Sequence, residues 1–123
     1  EQGDVAMERE TRWDLNTNDW KGMKFIEYEY DADGYVIKEK HYRWDPKIND
    51  WKNMSIMEYE YDENHNKTKE STSSWNSVKQ RWEVFYNGKF EYTFDKEGYI
   101  AIIKESMTDP NGKWKDVSTT YYY

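Results

Sequence analysis

The sequence contains no cysteine and little aliphatic material. Its 123 residues include two prolines, six glycines and a single leucine, Leu15. Without cysteine, a disulfide framework and a thiolate metal site are both excluded. No segment reaches the apolar length that a membrane-spanning helix requires. A large aliphatic core is therefore not available, and the length of the chain predicts one domain.

Aromatic residues take the place of the missing aliphatic ones. They make up 19% of a chain whose mean hydropathy is −1.31. Trp, Tyr and Phe bury large areas while keeping a polar edge, and disordered chains are poor in them. We therefore expect a folded chain whose buried surface is mostly aromatic.

The chain is acidic, with a net charge of −7 and an isoelectric point of about 4.9. A phosphate backbone or an anionic membrane surface attracts clusters of Lys and Arg. We therefore expect no nucleic-acid partner and no membrane insertion. The first residues, EQGDVAMERE, include neither an initiator Met nor an apolar signal segment. We interpret this as a mature or trimmed chain and expect a secreted, periplasmic or cell-surface location.

A pattern recurs every 31 residues, which is typical of an array of supersecondary units. Each unit has a first Trp, a second Trp seven residues later, and then a segment such as EYEYD. The first Trp residues are Trp13, Trp44 and Trp75, and the second are Trp20, Trp51 and Trp82. We predict a single β-repeat domain, 1–123, with copies at about 13–43, 44–74, 75–107 and, in part, 108–123.

Each unit predicts a β-hairpin. The segment WKGMKFIEYEYD, 20–31, alternates with the period of a strand, placing Trp20, Tyr28 and Tyr30 on one face and Phe25 on the other. In the third copy an insertion near Asn87 has even length, so the alternation continues across it.

The segments DADG and DKEG predict hairpin turns with Gly34 and Gly98 in the left-handed region. The middle copy, DENHN, lacks the glycine, so His65 or Asn66 must adopt that conformation. In the register of a three-residue loop, Tyr28 shares a face with Tyr42 and Trp44.

The predicted fold is all-β, an antiparallel meander of about eight strands. An open, twisted sheet is favoured over a closed barrel, because the strand at 66–75 is polar on both faces. Its Lys67 and Lys69 are expected to lay their stems across Tyr59 and Tyr61. The predicted strands are 5–13, 20–30, 35–44, 51–61, 67–75, 82–94, 99–108 and 113–122.

These units resemble the tandem β-hairpin repeats of exported, largely uncharacterised proteins of gut and environmental Bacteroidetes. The pattern W-x6-W followed by EYEYD-x-x-G carries the resemblance. More loosely, it is similar to the YD repeats of Rhs-type shell proteins, whose Tyr-Asp and Gly match Tyr30, Asp31 and Gly34. The third copy departs with Phe94, and the fourth has Met107 in place of the first Trp. The resemblance implies export, a repeat-built sheet and no assigned activity.

The ladder of glutamates on the predicted strands raises the alternative of a glycan hydrolase, which needs two carboxylates at a set separation. Because the ladder recurs in every copy and neighbours lysines, we interpret it as a solvated face and predict no enzymatic activity and no cofactor. The ladder consists of Glu27, Glu29, Glu58, Glu60 and Glu91.

Metal sites are not predicted. The segment 31–34 resembles the start of an EF-hand calcium loop. An EF-hand requires Glu at position 12 of the loop, and that position, counted from Asp31, is Tyr42. His41 and His65 are far apart in sequence, so no zinc site is expected.

The predicted function is that of a non-catalytic, exported or cell-surface protein that binds a protein or a glycan through exposed aromatic residues. A small eight-stranded barrel that holds an apolar ligand is the alternative. The C-terminal TTYYY segment predicts an edge strand that can pair with another chain, including a second copy. The predicted binding residues are Trp20, Trp51, Trp82, Tyr28, Tyr59 and Tyr92.

Overall fold

The computed structural model describes residues 2–16 and 19–123, and the side chains of residues 6–7, 15–16 and 24–123. Within that part of the chain it contains eight β-strands and no helix, and the predicted strand limits are confirmed to within a few residues. The strands are β1 (Gln2–Asp14), β2 (Asp19–Asp31), β3 (Val36–Asp45), β4 (Asp50–Tyr61), β5 (Lys67–Asn76), β6 (Arg81–Phe94), β7 (Ile100–Thr108) and β8 (Trp114–Tyr121).

The strands follow one another in the sheet in the order of the sequence, from β1 to β8. Short loops join neighbours, so the sheet is an antiparallel meander. Among the strands that the structure describes, β1 and β8 stand at the two ends of the order and do not pair with each other. The sheet is therefore open, and the closed eight-stranded barrel is not the fold of this chain.

Four turns share one hydrogen-bond pattern that begins at an aspartate. The aspartate N–H donates to the carbonyl four residues later at 2.8–2.9 Å, and its carbonyl accepts from the residue three positions later. Its Oδ1 accepts from the N–H groups two and four residues later at 2.8–3.0 Å. One side chain thus satisfies two backbone donors of its own turn. The four residues are Asp31, Asp62, Asp95 and Asp109.

The third residue after each aspartate has a positive φ, as predicted for Gly34 and Gly98, which have φ of 89° and 88°. In the middle copy His65 occupies this position with a φ of 63°. The sequence left His65 and Asn66 open, and the structure selects His65. The Cβ of His65 strains the backbone in the left-handed region, and glycine, which has no Cβ, avoids that strain.

Extra residues shift the register of several strand pairs. Between β2 and β3 the shift falls between Glu29 and Tyr30 and leaves Ile37 as the additional residue. Ala101 is additional where β6 pairs with β7, and Val117 where β7 pairs with β8. Each additional residue is a β-bulge, which reverses the face of every residue beyond it on that strand.

The bulge corrects the predicted face of Tyr28. In the structure Phe25 is opposite Tyr42, and Tyr28 is opposite Glu39. Directly opposed residues share a face and successive residues alternate. Tyr28 therefore lies on the face opposite to Tyr42, and the prediction that Tyr28 shares a face with Tyr42 and Trp44 is wrong. The predicted alternation from Phe25 to Tyr28, which places these two residues on different faces, is confirmed.

The chain forms two compact units. Unit 1 comprises Glu1–Met57 and Ser73–Glu83, and unit 2 comprises Glu58–Thr72 and Val84–Tyr123. None of the hydrophobic side chains that the structure describes is buried, whereas Ser73 in unit 1 and Ser106 in unit 2 are buried. Half-buried aromatic groups therefore supply the packing in each unit. The division into four repeat copies within one domain stays a prediction.

Candidate functional site

Six half-buried aromatic side chains of unit 1 pack in contacting pairs, and we call them the aromatic cluster. They come from five consecutive strands, β2 to β6. The ring centroids of the contacting pairs are 5.1–5.7 Å apart, within the range in which aromatic pairs attract. The members are Phe25, Tyr42, Trp44, Trp51, Trp75 and Trp82.

Two Trp pairs of the cluster flank short loops between strands. Trp44 and Trp51 lie on either side of the β3–β4 loop with centroids 5.4 Å apart and ring planes at 77°. Trp75 and Trp82 do the same at the β5–β6 loop, at 5.1 Å and 67°. In both pairs the two rings contact each other across the loop in the edge-to-face form. Such a pair contributes roughly 0.5–1.5 kcal/mol beyond its buried area.

Lys40 connects the two halves of the aromatic cluster. Its Nζ lies 5.5 Å from the ring centroid of Tyr42 and 6.0 Å from that of Trp82. These distances fall within the range of cation–π attraction. The contact with Trp82 spans the two strands that separate β3 from β6 in the sheet order. Lys40 thus places a cation among the rings.

Carboxylates and lysines alternate next to the rings. Glu27 is directly opposite Lys40, and Glu29 is opposite Lys38, so all four share the face of Phe25. In unit 2, by the same geometry, Glu91 is opposite Lys104. Opposed charges of this kind stabilise a strand pair by roughly 0.2–1 kcal/mol. These three members of the glutamate ladder therefore lie in a charge-paired surface.

Unit 2 contains a second group, which we call the Lys67 network. The Lys67 Nζ is 2.7 Å from Glu70 Oε2 and lies 5.4 Å from the ring centroids of both Tyr59 and Phe90. The prediction that Lys67 lies across Tyr59 is confirmed. The Lys69 Nζ lies 3.7 Å from Glu60 Oε2, and its expected position across Tyr61 stays a prediction.

Two tyrosine hydroxyls complete the Lys67 network. Tyr86 donates to Glu70 Oε1 at 3.0 Å, and Tyr92 donates to the Lys67 carbonyl at 2.6 Å. Loss of solvent around the hydroxyl, followed by the hydrogen bond and the negative charge of Glu70, raises the pKa of Tyr86 to about 12. The Tyr86 side chain folds over Gly88, where a Cβ would overlap its hydroxyl. Gly88 is therefore required for this packing.

The predicted binding residues do not form one group. Trp51 and Trp82 belong to the aromatic cluster. Tyr28 stacks on Tyr30, with centroids 6.3 Å apart, on the other face of β2. Tyr59 and Tyr92 belong to the Lys67 network of unit 2, and Trp20 lies outside the described side chains.

The sequence alone did not identify Phe25, Tyr42 or Lys40 as partners of the Trp residues. Phe25 was placed on the opposite face from Tyr42 because the bulge at Ile37 was not anticipated. A usable signal was present, since the bulged register sets Glu27 against a lysine.

Among the residues that the structure describes, no three His, Cys, Asp or Glu side chains are grouped in a way that could hold a metal ion. His41 lies in β3, with its Nε2 3.4 Å from Glu39 Oε1, and His65 lies in a turn of unit 2. The Oδ1 of Asp31 accepts two backbone N–H bonds of its own turn. Within the described residues, no helix is long and apolar enough to span a membrane.

The fold of this chain is similar to that of solved structures. A protein of unknown function from Bacteroides fragilis has a TM-score of 0.66 at 16% identity, over 98% of this chain and 85% of that chain. A DUF3836 family protein from Bacteroides vulgatus has a TM-score of 0.54 at 16% identity, over 98% and 100%. Another, from Parabacteroides distasonis, has 0.52 at 13% identity, over 98% and 92%.

At these identities the likeness establishes the fold alone. The expected likeness to uncharacterised proteins of Bacteroidetes is confirmed, and the likeness to YD repeats stays a prediction. No family model and no curated protein matches the sequence.

Proposed function

We propose that this chain is a non-catalytic, exported or cell-surface module that binds glycans on the aromatic cluster. The observation that supports the proposal is the cluster itself, in which contacting indole and phenol rings remain half-buried. Because no described hydrophobic side chain of unit 1 is fully buried, this face keeps aromatic surface that a ligand can cover.

The surroundings of the rings favour a glycan over a protein partner. A sugar presents C–H faces that pack on aromatic rings, and hydroxyl groups that require hydrogen-bond donors and acceptors. Glu27, Lys40, Glu29 and Lys38 supply both on the face of Phe25. The core of a protein interface is instead depleted in charged residues. We therefore place sugar rings on the Trp residues and sugar hydroxyls on the adjacent charges.

The same charge pairs favour binding without catalysis. Glycoside hydrolysis requires one carboxyl group that donates a proton and a second that acts as a base or nucleophile. Glu27, Glu29 and Glu91 each face a lysine across the strand pair, so none is set apart from the others by its surroundings. An active site needs two carboxyl groups in different environments.

Glycan-array binding tests the proposal. We expect the wild-type chain to bind, and Trp51→Ala and Trp82→Ala to weaken binding at least tenfold, because each removes a ring of the aromatic cluster. Trp114→Ala is the matched control: Trp114 is 47% exposed, belongs to unit 2 and lies outside the cluster. The affinity of Trp114→Ala should stay within about twofold of wild type. The tenfold loss expected for Trp51→Ala and Trp82→Ala corresponds to about 1.4 kcal/mol. Far-UV circular dichroism confirms that each variant is folded.

An array without binding across neutral and acidic glycans would contradict glycan binding. Equal loss of binding in Trp114→Ala and Trp51→Ala would contradict the location of the site. Release of reducing sugar from a bound glycan would contradict the non-catalytic role. Fractionation of native cells tests export. Finding the protein only in the cytoplasmic fraction would contradict export.

A further inference from the structure

Strand β8 is a terminal strand of the sheet with little cover. Among the strands that the structure describes, it pairs with β7 alone, and all eight of its residues are exposed. Trp114, Val117 and Tyr121 are 47–60% exposed. An exposed edge strand presents backbone N–H and C=O groups that another strand can pair with.

The hydrogen bonds to β7 show which backbone groups of β8 point outward. The Tyr122 N–H donates to the Ala101 carbonyl at 2.8 Å. Because the groups of an antiparallel strand alternate in direction, those of Thr120 and Ser118 also point toward β7. The N–H and C=O groups of Thr119 and Tyr121 therefore point away from the sheet.

The two terminal strands of the sheet, β8 and β1, differ in their charged residues. The outer half of β8 and the residues after it, 117–123, read VSTTYYY and contain no charged residue, no glycine and no proline. The charges of β8 are occupied within unit 2, since Lys115 approaches Asp109 at 3.9 Å and Asp116 approaches Lys104 at 3.5 Å. Strand β1, at the other end of the order, contains Asp4, Glu8, Arg9, Glu10, Arg12 and Asp14.

We propose that β8 pairs with β8 of a second copy of this chain, antiparallel, about a two-fold axis at Thr120. In this register Thr119 is opposite Tyr121 of the second copy, and the outward N–H and C=O groups of both residues bond to each other. Val117 is opposite Tyr123 and Ser118 is opposite Tyr122, so no like charges meet. A chain with a net charge of −7 repels its own copies, and the uncharged edge is where two copies can approach.

The size of the contact predicts a weak dimer. Seven paired residues extend about 23 Å at roughly 3.3 Å per residue, and a single strand pair falls at the small end of specific interfaces. We therefore expect association that depends on protein concentration. Sedimentation velocity of the 123-residue chain, from about 10 µM to about 1 mM, should show a shift from monomer to dimer.

Thr119→Pro tests whether the outward-pointing N–H of Thr119 takes part in the dimer. It removes an N–H that points outward, so it costs no hydrogen bond to β7, and proline is tolerated at such edge positions. We expect Thr119→Pro to weaken the dimer at least tenfold, whereas Thr119→Ala changes it by less than about threefold. A dimer that persists unchanged in Thr119→Pro would refute pairing through this edge.

A charge exchange at Thr120 tests the two-fold axis. Thr120→Lys and Thr120→Glu each place like charges directly opposite one another and should be monomeric over the same concentration range. Their equimolar mixture should form a heterodimer, because the opposed charges then attract. Far-UV circular dichroism shows whether the variants are folded. A wild-type chain that stays monomeric at about 1 mM, or a mixture no more associated than its components, would overturn the proposal.

Discussion

Replacing His65 by glycine is expected to stabilise this chain. His65 has a φ of 63° at the turn position where Gly34 and Gly98 have 89° and 88°. A side chain in the left-handed region costs roughly 1–2 kcal/mol, which glycine avoids. Glycine also gives the unfolded chain more freedom, which removes roughly 0.4–1 kcal/mol of that gain. We therefore expect His65→Gly to raise the free energy of unfolding by about 0.5–1 kcal/mol.

Urea denaturation followed by tryptophan fluorescence measures this change as a higher midpoint at an unchanged slope. His65→Ala is the control, because it removes the imidazole and keeps the Cβ that causes the strain. Gly34→Ala introduces the same strain in the first copy and should destabilise the chain by a similar amount. If His65→Gly is no more stable than His65→Ala, the left-handed turn does not carry the cost assigned to it.

Further predictions concern the Lys67 network and the middle turn. Gly88→Ala should destabilise the chain by about 1–3 kcal/mol, because its Cβ overlaps the Tyr86 hydroxyl; Tyr86→Phe in that background should add little cost, and a full additional loss would argue against a shared contact. The pKa of Tyr86, about 12, exceeds the usual 10, so its contribution is complete below pH 10 and is lost as pH rises toward 12; urea midpoints across that range should fall less in Tyr86→Phe. The N–H of Asn66 lowers the pKa of Asp62, so stability should fall as pH drops below about 4. That acid-dependent loss should be smaller in Asp62→Asn, and an equal loss in both proteins would contradict the assignment.

The strands and turns of this protein could be predicted because local chemistry specifies them. Period-2 alternation predicts strands such as β2, and an Asp followed three residues later by Gly predicts the hairpin turns at Gly34 and Gly98. Asp31 and Asp95 make the backbone hydrogen bonds that this pattern requires. His65 shows the limit of the rule, since the remaining hydrogen bonds of the turn impose the left-handed conformation without a glycine.

The candidate site was less predictable because it depends on register. Tyr28 and Tyr42 were expected on one face, and one additional residue at Ile37 separates them. Phe25 then joins the aromatic cluster by its contact with Tyr42, and Lys40 reaches Trp82 across two intervening strands. Contacts between strands that are not neighbours depend on the course of the whole sheet and leave no periodic signal in the sequence.

The charges give a physical reason for the bulge. Without Ile37 as an additional residue, the turn register would set Glu27 opposite Glu39, a repulsive pair. With the bulge, Glu27 is opposite Lys40 and Glu29 is opposite Lys38.

The same correction recurs in unit 2, where the bulge at Ala101 sets Glu91 opposite Lys104 rather than Ile103. Each opposed pair contributes only roughly 0.2–1 kcal/mol, but none of the described hydrophobic side chains is fully buried, so cross-strand pairs are the main source of specificity. In these two strand pairs the order of Glu and Lys favours the bulged register, and that register sets the face of each aromatic ring and therefore where a binding surface can form.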